Sequence, residues 1–317
     1  MNSEVSAGPI RGPIRGIVFK IASVTVFVAM QTAIKLAGDD VPAGQITFYR
    51  SAFALIPILA YLAYLGQIRT GLRTANVFGH VKRGLIGIAA MVCGFYGLVH
   101  LPMPDAIAIG YAMPLIAVVF AAVFLGETVR LYRWSAVAIG LVGVVIISWP
   151  KLTLLQDGFY GSEAGMGTLA VLASATLGAA AMLQVRQLVR EEKTATIVLY
   201  FSIIAALISL VSLPFGWNDL SVGQLGLLAF AGICGGLAQI LLTESYRHAD
   251  ISTIAPFEYS SILFGSLIGY LLFDDLPSIH TLVGTLIVAG AGIFIILREH
   301  QLGLERRAAR KAFTPGA

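Results

Sequence analysis

The stretch DAIAIGYAMPLIAVVFAAVFL, residues 105–125, decides the fold because only its first position carries a charge. The hydrocarbon core of a bilayer is about 30 Å thick, and an α-helix needs roughly 20 residues to cross it. The apolar residues are contiguous here, whereas the strands of a transmembrane barrel alternate apolar and polar positions. The stretch therefore predicts one transmembrane helix.

Nine further apolar runs of similar length predict nine more spans. They lie at residues 17–36, 44–65, 81–100, 131–149, 166–188, 196–213, 222–243, 250–273 and 279–297. Of the 317 residues, 57% are hydrophobic and 12% are charged, and the charged fraction is about half of what a soluble domain carries. We predict an all-α, polytopic integral membrane protein with ten transmembrane helices.

The positions of the basic residues predict the orientation of these helices. All but three of the 21 Lys and Arg residues lie in or beside the tails and the even-numbered connections; the exceptions are Lys35, Arg50 and Lys151. Cytoplasmic loops are enriched in Lys and Arg, so we predict cytoplasmic termini in the cell inner (plasma) membrane. This distribution also explains the net charge of +4 and argues against nucleic-acid binding.

The two halves of the chain resemble each other. Tyr49 and Ser51 match Tyr200 and Ser202 at a common offset of 151 residues, and a Cys-Gly pair occurs once in each half. Because each half holds five helices, the second copy enters the membrane from the opposite side. The predicted organisation is a cytoplasmic tail at 1–16, a first five-helix repeat at 17–149, an extracytoplasmic connection at 150–165, a second, inverted repeat at 166–297, and a basic cytoplasmic tail at 298–317.

Short motifs recur in a fixed order along both halves. The first half contains Phe48-Tyr49-Arg50, Asp105-Ala106 with Pro114, and Leu125-Gly126-Glu127. The second half contains Glu244-Ser245-Tyr246-Arg247, Ala255-Pro256-Phe257-Glu258-Tyr259, Leu271-Leu272-Phe273-Asp274-Asp275 with Pro277, and Gly284 with Gly290-Ala291-Gly292. In order and spacing these motifs resemble the EamA-type ten-helix members of the drug/metabolite transporter (DMT) superfamily. Asp274 departs from the family pattern, which usually has Gly before the acidic residue.

Similarity to this family implies a transporter whose substrate sits in a central cavity between the halves, lined mainly by the first four helices of each. Members move amino acids, amines, nucleotide-like metabolites such as S-adenosylmethionine, and vitamins including riboflavin. The resemblance fixes the activity class and leaves the cargo open. The expected partners are a small-molecule substrate and the lipid bilayer, with no cofactor; proton coupling and homo-oligomer formation stay open.

Charged side chains inside the predicted spans are candidate substrate-binding residues, because an unpaired charge at the centre of a span costs about 2.5–3.5 kcal/mol. Arg50 lies about 10 Å into the second helix, and Lys35 near the outer end of the first could form a basic entrance with it. The alternatives are that Lys35 snorkels to the headgroups and that Arg50 is a structural partner for a carboxylate. Glu258 follows Pro256, which loosens the helix; it could bind a proton, a cationic group or a basic side chain, or be purely structural.

Rings and amides complete the predicted substrate-binding set. Pro114 breaks the fourth helix in the region that corresponds to Pro256. Flat rings with a polar tip could stack a planar substrate, although helix packing is the alternative for each of them. The remaining candidates are Gln31, Tyr49, Tyr96, Tyr111, Gln239 and Tyr259.

The sequence contains no catalytic or metal-binding pattern. The histidines lack metal-ligand spacing, and neither a Gly-rich phosphate loop nor a nucleophile elbow is present. We therefore predict that the chain is not an enzyme and that it moves a small organic metabolite by alternating access, with riboflavin uptake as the favoured activity. S-adenosylmethionine exchange and amino-acid or amine efflux are the alternatives, and a polytopic membrane enzyme is the alternative from another class.

Overall fold

A computed structural model describes residues 13–38, 40–125, 130–152, 163–188, 192–248 and 255–312. Within these ranges the chain forms helices and short connections and contains no strand. Most of the predicted N-terminal tail and of the connection at 150–165 lies outside the described residues. So do Gly126 and Glu127, and the first part of the predicted span 250–273.

The helices in this part of the chain follow the predicted order of spans. They are α1 (Pro13–Ala37), α2 (Ala43–Tyr64), α3 (Val77–His100), α4 (Met103–Gly110), α5 (Ala112–Leu125), α6 (Leu131–Leu152), α7 (Glu163–Leu188), α8 (Thr194–Ser209), α9 (Val222–His248), α10 (Ser260–Phe273) and α11 (Ile279–Ala312). Two 3-10 turns, Leu210–Phe215 and Ala255–Tyr259, continue α8 and precede α10. α4 and α5 together form the fourth span.

Length and hydropathy support ten spans. Eight helices are long and apolar enough to cross a membrane, and two shorter apolar helices, Phe257–Phe273 and Ile279–Ile295, bring the total in the described ranges to ten. Large apolar side chains such as Phe124, Leu263 and Leu286 are exposed, as expected for surfaces in contact with lipid. The prediction of an all-α, polytopic membrane protein with ten transmembrane helices is confirmed.

The first and last helices extend into the predicted tails. α1 begins at Pro13, within the predicted tail 1–16, and α11 continues to Ala312, through most of the predicted tail 298–317. Hydropathy detects only the part of a helix that lies in lipid. The Arg, Glu, Leu and Ala residues that follow position 297 are good helix formers, so the helix continues after the apolar run ends.

Helices of one half pack mainly against helices of the other half. α1 packs against α9, α3 against α7, and α6 against α11. By their order in each half, α1 corresponds to α7, α3 to α9, and α6 to α11. Exchanging these counterparts turns the α1–α9 contact into the α7–α3 contact and leaves the α6–α11 contact unchanged. The contacts therefore have the twofold pattern that two related halves produce.

Glycines bring α6 and α11 close together. A β-carbon on Gly143 would lie 2.8 Å from the carbonyl oxygen of Gly284. Conversely, a β-carbon on Gly284 would lie 2.6 Å from the carbonyl oxygen of Gly143. In lipid, close packing holds helices together, and small residues permit it. This crossing fixes α11 beside the central space that the other helices surround.

Candidate functional site

A cavity of about 880 Å³ lies between the two halves, and residues from all ten spans line it. We call the end of the bundle at which α1 begins the inner end, and the end at which α1 finishes the outer end. Val185 of α7 and Thr243 of α9 line the cavity near the inner end. Ligand pockets typically measure about 300–1,000 Å³, so this space is large enough for a small metabolite.

The cavity is bordered by two broken spans. Proline lacks a backbone donor, and the fourth span divides at Tyr111, three residues before Pro114. In the described part of the ninth span, the 3-10 turn Ala255–Tyr259 likewise precedes the regular helix that begins at Ser260. Broken helices beside a cavity free polar groups for a solute, which is how many transporter folds build their binding sites.

The two breaks contact each other. The rings of Tyr111 and Tyr259 meet edge to face with centroids 5.0 Å apart. The Tyr111 hydroxyl lies 2.5 Å from the hydroxyl oxygen of Ser261. On the other side, the Tyr259 hydroxyl packs against the backbone of α11 at Gly292, where a β-carbon would collide with it. Each half thus contributes one ring to a polar, aromatic patch on the cavity wall.

The charged residues that line the cavity are mostly basic. Lys20, Arg50, Arg83 and Arg133 line it, and among the described lining residues Glu258 is the only carboxylate. The Lys20 ammonium is buried and lies 2.9 Å from a carboxylate oxygen of Glu258. Since that pair is neutral as a unit, the buried guanidinium groups of Arg50 and Arg83 give the described cavity wall a positive charge.

Arg50 is closely packed where it lines the cavity. It is 2% exposed, and its Nε atom has no hydrogen-bond partner among the described residues. A β-carbon on Gly235 of α9 would lie 2.8 Å from this Nε atom and 3.0 Å from the sulfur of Met30. The absence of a side chain at position 235 therefore makes room for the guanidinium.

A second ion pair lies at the outer end. The Lys35 ammonium lies 3.0 Å from a carboxylate oxygen of Asp275, just after α10, and donates to the carbonyl oxygen of Leu101 at 2.5 Å. The same carboxylate accepts from the backbone amide of Met103 at 3.0 Å. Nearby, the Thr281 hydroxyl donates to Asp105. We call Lys35, Asp275, Leu101 and Met103 the outer closure.

The structure brings seven of the predicted substrate-binding residues to the cavity wall. They are Gln31, Arg50, Tyr111, Pro114, Gln239, Glu258 and Tyr259. Pro256 belongs to the 3-10 turn that leads into the cavity, but its side chain lies outside what the structure describes.

Three predicted residues do not line this cavity. Lys35 belongs to the outer closure, where a protein carboxylate satisfies its charge. Tyr49 packs against Phe53 and Trp217, and Tyr96 stacks on His100 with ring centroids 4.1 Å apart. Each ring therefore contacts a neighbouring aromatic residue, and neither lines this cavity.

Sequence reasoning missed three basic cavity residues: Lys20, Arg83 and Arg133. All three lie near the ends of apolar runs, where they served only as signals of orientation. In the structure α3 begins at Val77, four residues before the predicted run, so Arg83 lies within the helix. Arg83 was already the third residue of the predicted run 81–100. A charge inside a predicted span is the signal that could have identified it.

Comparison with known proteins gives consistent matches along the chain. A family model described as "EamA-like transporter family" matches residues 14–149 and again 165–298. A crystal structure that is 21% identical shares the fold with a TM-score of 0.64, over 90% of this chain and 98% of that chain.

Three curated relatives differ in the cargo that their names give. A pseudopaline exporter of Pseudomonas aeruginosa is 30% identical over 283 residues, which cover 88% of this chain and 94% of the relative. An S-adenosylmethionine uptake transporter of Rickettsia bellii is 28% identical over 84% of this chain and 87% of the relative. A riboflavin transporter of Rhizobium johnstonii is 28% identical over 94% of this chain and 93% of the relative.

Proposed function

The chain belongs to the EamA-like transporter family, and we propose that it is a secondary carrier that moves a small organic metabolite by alternating access through the central cavity. We assign it to the cell inner membrane with both termini in the cytoplasm, because the basic residues collect in the tails and in the loops on the same side. The two units of the carrier are the repeats at 17–149 and 166–297.

The proposal of alternating access rests on a difference between the two ends of the cavity, although the two halves that enclose it are related. The cavity lining includes residues near the inner end, such as Val185 and Thr243, whereas the Lys35–Asp275 pair joins α1 to the end of α10 at the outer end. If the halves exchange conformations, the outer end opens and the inner end closes. A solute held between the halves would then be exposed to each side in turn.

Charge and shape distinguish the candidate cargoes. An amine carries only positive charge and would meet the positive wall formed by Arg50 and Arg83. S-adenosylmethionine carries a sulfonium and an ammonium besides its carboxylate, so its net charge is also positive. A flavin carries no positive charge, and its flat ring system suits the rings of Tyr111 and Tyr259. We therefore retain riboflavin as the first cargo to test, and the name of one relative supports that choice.

Counterflow in proteoliposomes tests the carrier. Vesicles are loaded with unlabelled riboflavin and diluted into a trace of labelled riboflavin, with S-adenosylmethionine and glutamate in parallel assays. A carrier accumulates the label transiently above its equilibrium level, because the exchange of bound solute links the two flows. Overshoot with riboflavin supports the flavin proposal, and overshoot with another solute reassigns the cargo. Simple equilibration of every solute, as through a pore, would contradict alternating access.

A further inference from the structure

Two arginines face the cavity from opposite ends of the bundle. Arg50 is seven residues into α2, which begins at the outer end, and Arg83 is six residues into α3, which begins at the inner end. At 1.5 Å per residue both lie about 10 Å from the start of their helices. Both line the same cavity.

The described residues do not neutralise either guanidinium. The Nε atom of Arg50 and the Nε and Nη1 atoms of Arg83 are buried without hydrogen-bond partners. Neither arginine takes part in the ion pairs of the described residues. The Arg83 guanidinium lies over the ring of Phe201, 4.2 Å from its centroid, and this contact supplies no anionic oxygen.

We propose that Arg50 and Arg83 form an anion-binding subsite that takes a carboxylate or phosphate group of the transported solute. This inference rests on the proposed function, because it uses the same cavity. Guanidinium groups bind two oxygens of such an anion with parallel hydrogen bonds. The anion would pair with the parts of the two guanidinium groups that line the cavity, for which the described residues supply no acidic partner.

The surroundings of the two arginines favour the same class of solute. Glu258, the carboxylate among the described lining residues, already pairs with Lys20, so it does not compete for the two arginines. The positive charge of Arg50 and Arg83 would attract an anion into the cavity. The apolar part of the same solute would pack on Tyr111 and Tyr259. The subsite thus predicts a solute with an apolar or aromatic body and an acidic group, such as a flavin that bears a phosphate, and ranks it above riboflavin itself, which has no acidic group.

Thermal stability with matched pairs of solutes tests the subsite. Each pair consists of an acid and a neutral relative of similar shape: riboflavin phosphate with riboflavin, glutarate with its diamide, and benzoate with benzamide. We expect the acid of at least one pair to raise the Tm of the purified chain by about 4 °C more than its neutral partner at roughly 100 times its Kd. Arg50→Gln and Arg83→Gln should each weaken that binding about tenfold to 100-fold, whereas Arg69→Gln, a matched control at an exposed arginine, should not.

Equal Tm shifts within every pair of solutes, including no shift at all, would overturn the subsite. So would retention of the acid-specific shift in both cavity variants. Tm is also measured in nanodiscs of phosphatidylcholine with and without phosphatidylglycerol, which tests whether an anionic lipid headgroup binds the two arginines. A Tm shift caused by phosphatidylglycerol and by none of the acids would overturn the solute proposal. If Arg50→Gln does not fold, Arg50→Lys keeps the charge and loses the paired donors, and it should still lower the affinity for the acid.

The counterflow assay distinguishes failure of the subsite from failure of the carrier. An acid-specific Tm shift without counterflow of that acid would leave the binding site intact and overturn transport. Counterflow of a neutral solute that is unchanged in Arg50→Gln and Arg83→Gln would leave the carrier intact and overturn the subsite.

Discussion

Replacing Arg50 by Gln is expected to lower the rate of transport about tenfold to 100-fold without lowering the Tm of the ligand-free protein. The loss of transport follows from the loss of a charged hydrogen-bond donor to the solute. The Tm should be equal or higher, because a buried charge without a partner stabilises nothing in the fold and its removal relieves a desolvation cost. Transport is measured at matched membrane abundance, and Tm in the absence of solute.

A glycine pair on one helix provides the matched control for this prediction. Gly235→Ala would place a methyl group 2.8 Å from the Arg50 Nε atom, whereas Gly226→Ala, also in α9, meets no atom within 4 Å. We expect the first variant to reduce transport by displacing the guanidinium and the second to transport normally. A marked fall in Tm for Arg50→Gln, with transport reduced only in proportion to abundance, would instead identify Arg50 as a structural residue.

Linking the outer closure is expected to abolish transport almost completely. In a background of Cys93→Ala and Cys234→Ala, which removes both native cysteines, Lys35→Cys and Asp275→Cys are bridged by a short, reducible reagent with two thiol-reactive groups. The bridge takes the place of the 3.0 Å ion pair, so α1 cannot separate from the end of α10. Alternating access needs that separation. We expect less than about a tenth of the unlinked rate.

Reduction of the bridge is the internal control for the linking experiment, because it returns the same molecules to the unlinked state. Transport should recover to the rate that the unlinked double-cysteine variant shows. If the linked protein transports as fast as the unlinked one, the outer closure does not open during transport, and the solute passes by another route.

Hydropathy predicted the ten spans well because the bilayer imposes their length and composition. It did not predict which way each helix faces. In a soluble protein the polar side of a helix marks the surface, but in lipid both the packed and the lipid-exposed sides are apolar. Tyr49 and Tyr96 were therefore indistinguishable from Tyr111, although only Tyr111 reaches the cavity.

Charged positions were predictable to the extent that local sequence determined them. Arg50 was identified from its depth in α2, and Glu258 from its place after a helix-breaking proline. The partner of Lys35 was not predictable, because Asp275 is far away in sequence and reaches it only after the halves have packed. Arg83 was missed because its position close to the end of an apolar run made it look like a loop residue.

The most direct test of the carrier is the two-sided accessibility of one cavity position. Gln31 lines the cavity on the outer side of Lys20, and Gln31→Cys in the background without native cysteines gives a single reactive thiol. A membrane-impermeant thiol reagent is applied to right-side-out and to inside-out vesicles. We predict that the thiol reacts from both sides, because alternating access exposes the cavity to each side in turn. Reaction from only one side would contradict alternating access through this cavity.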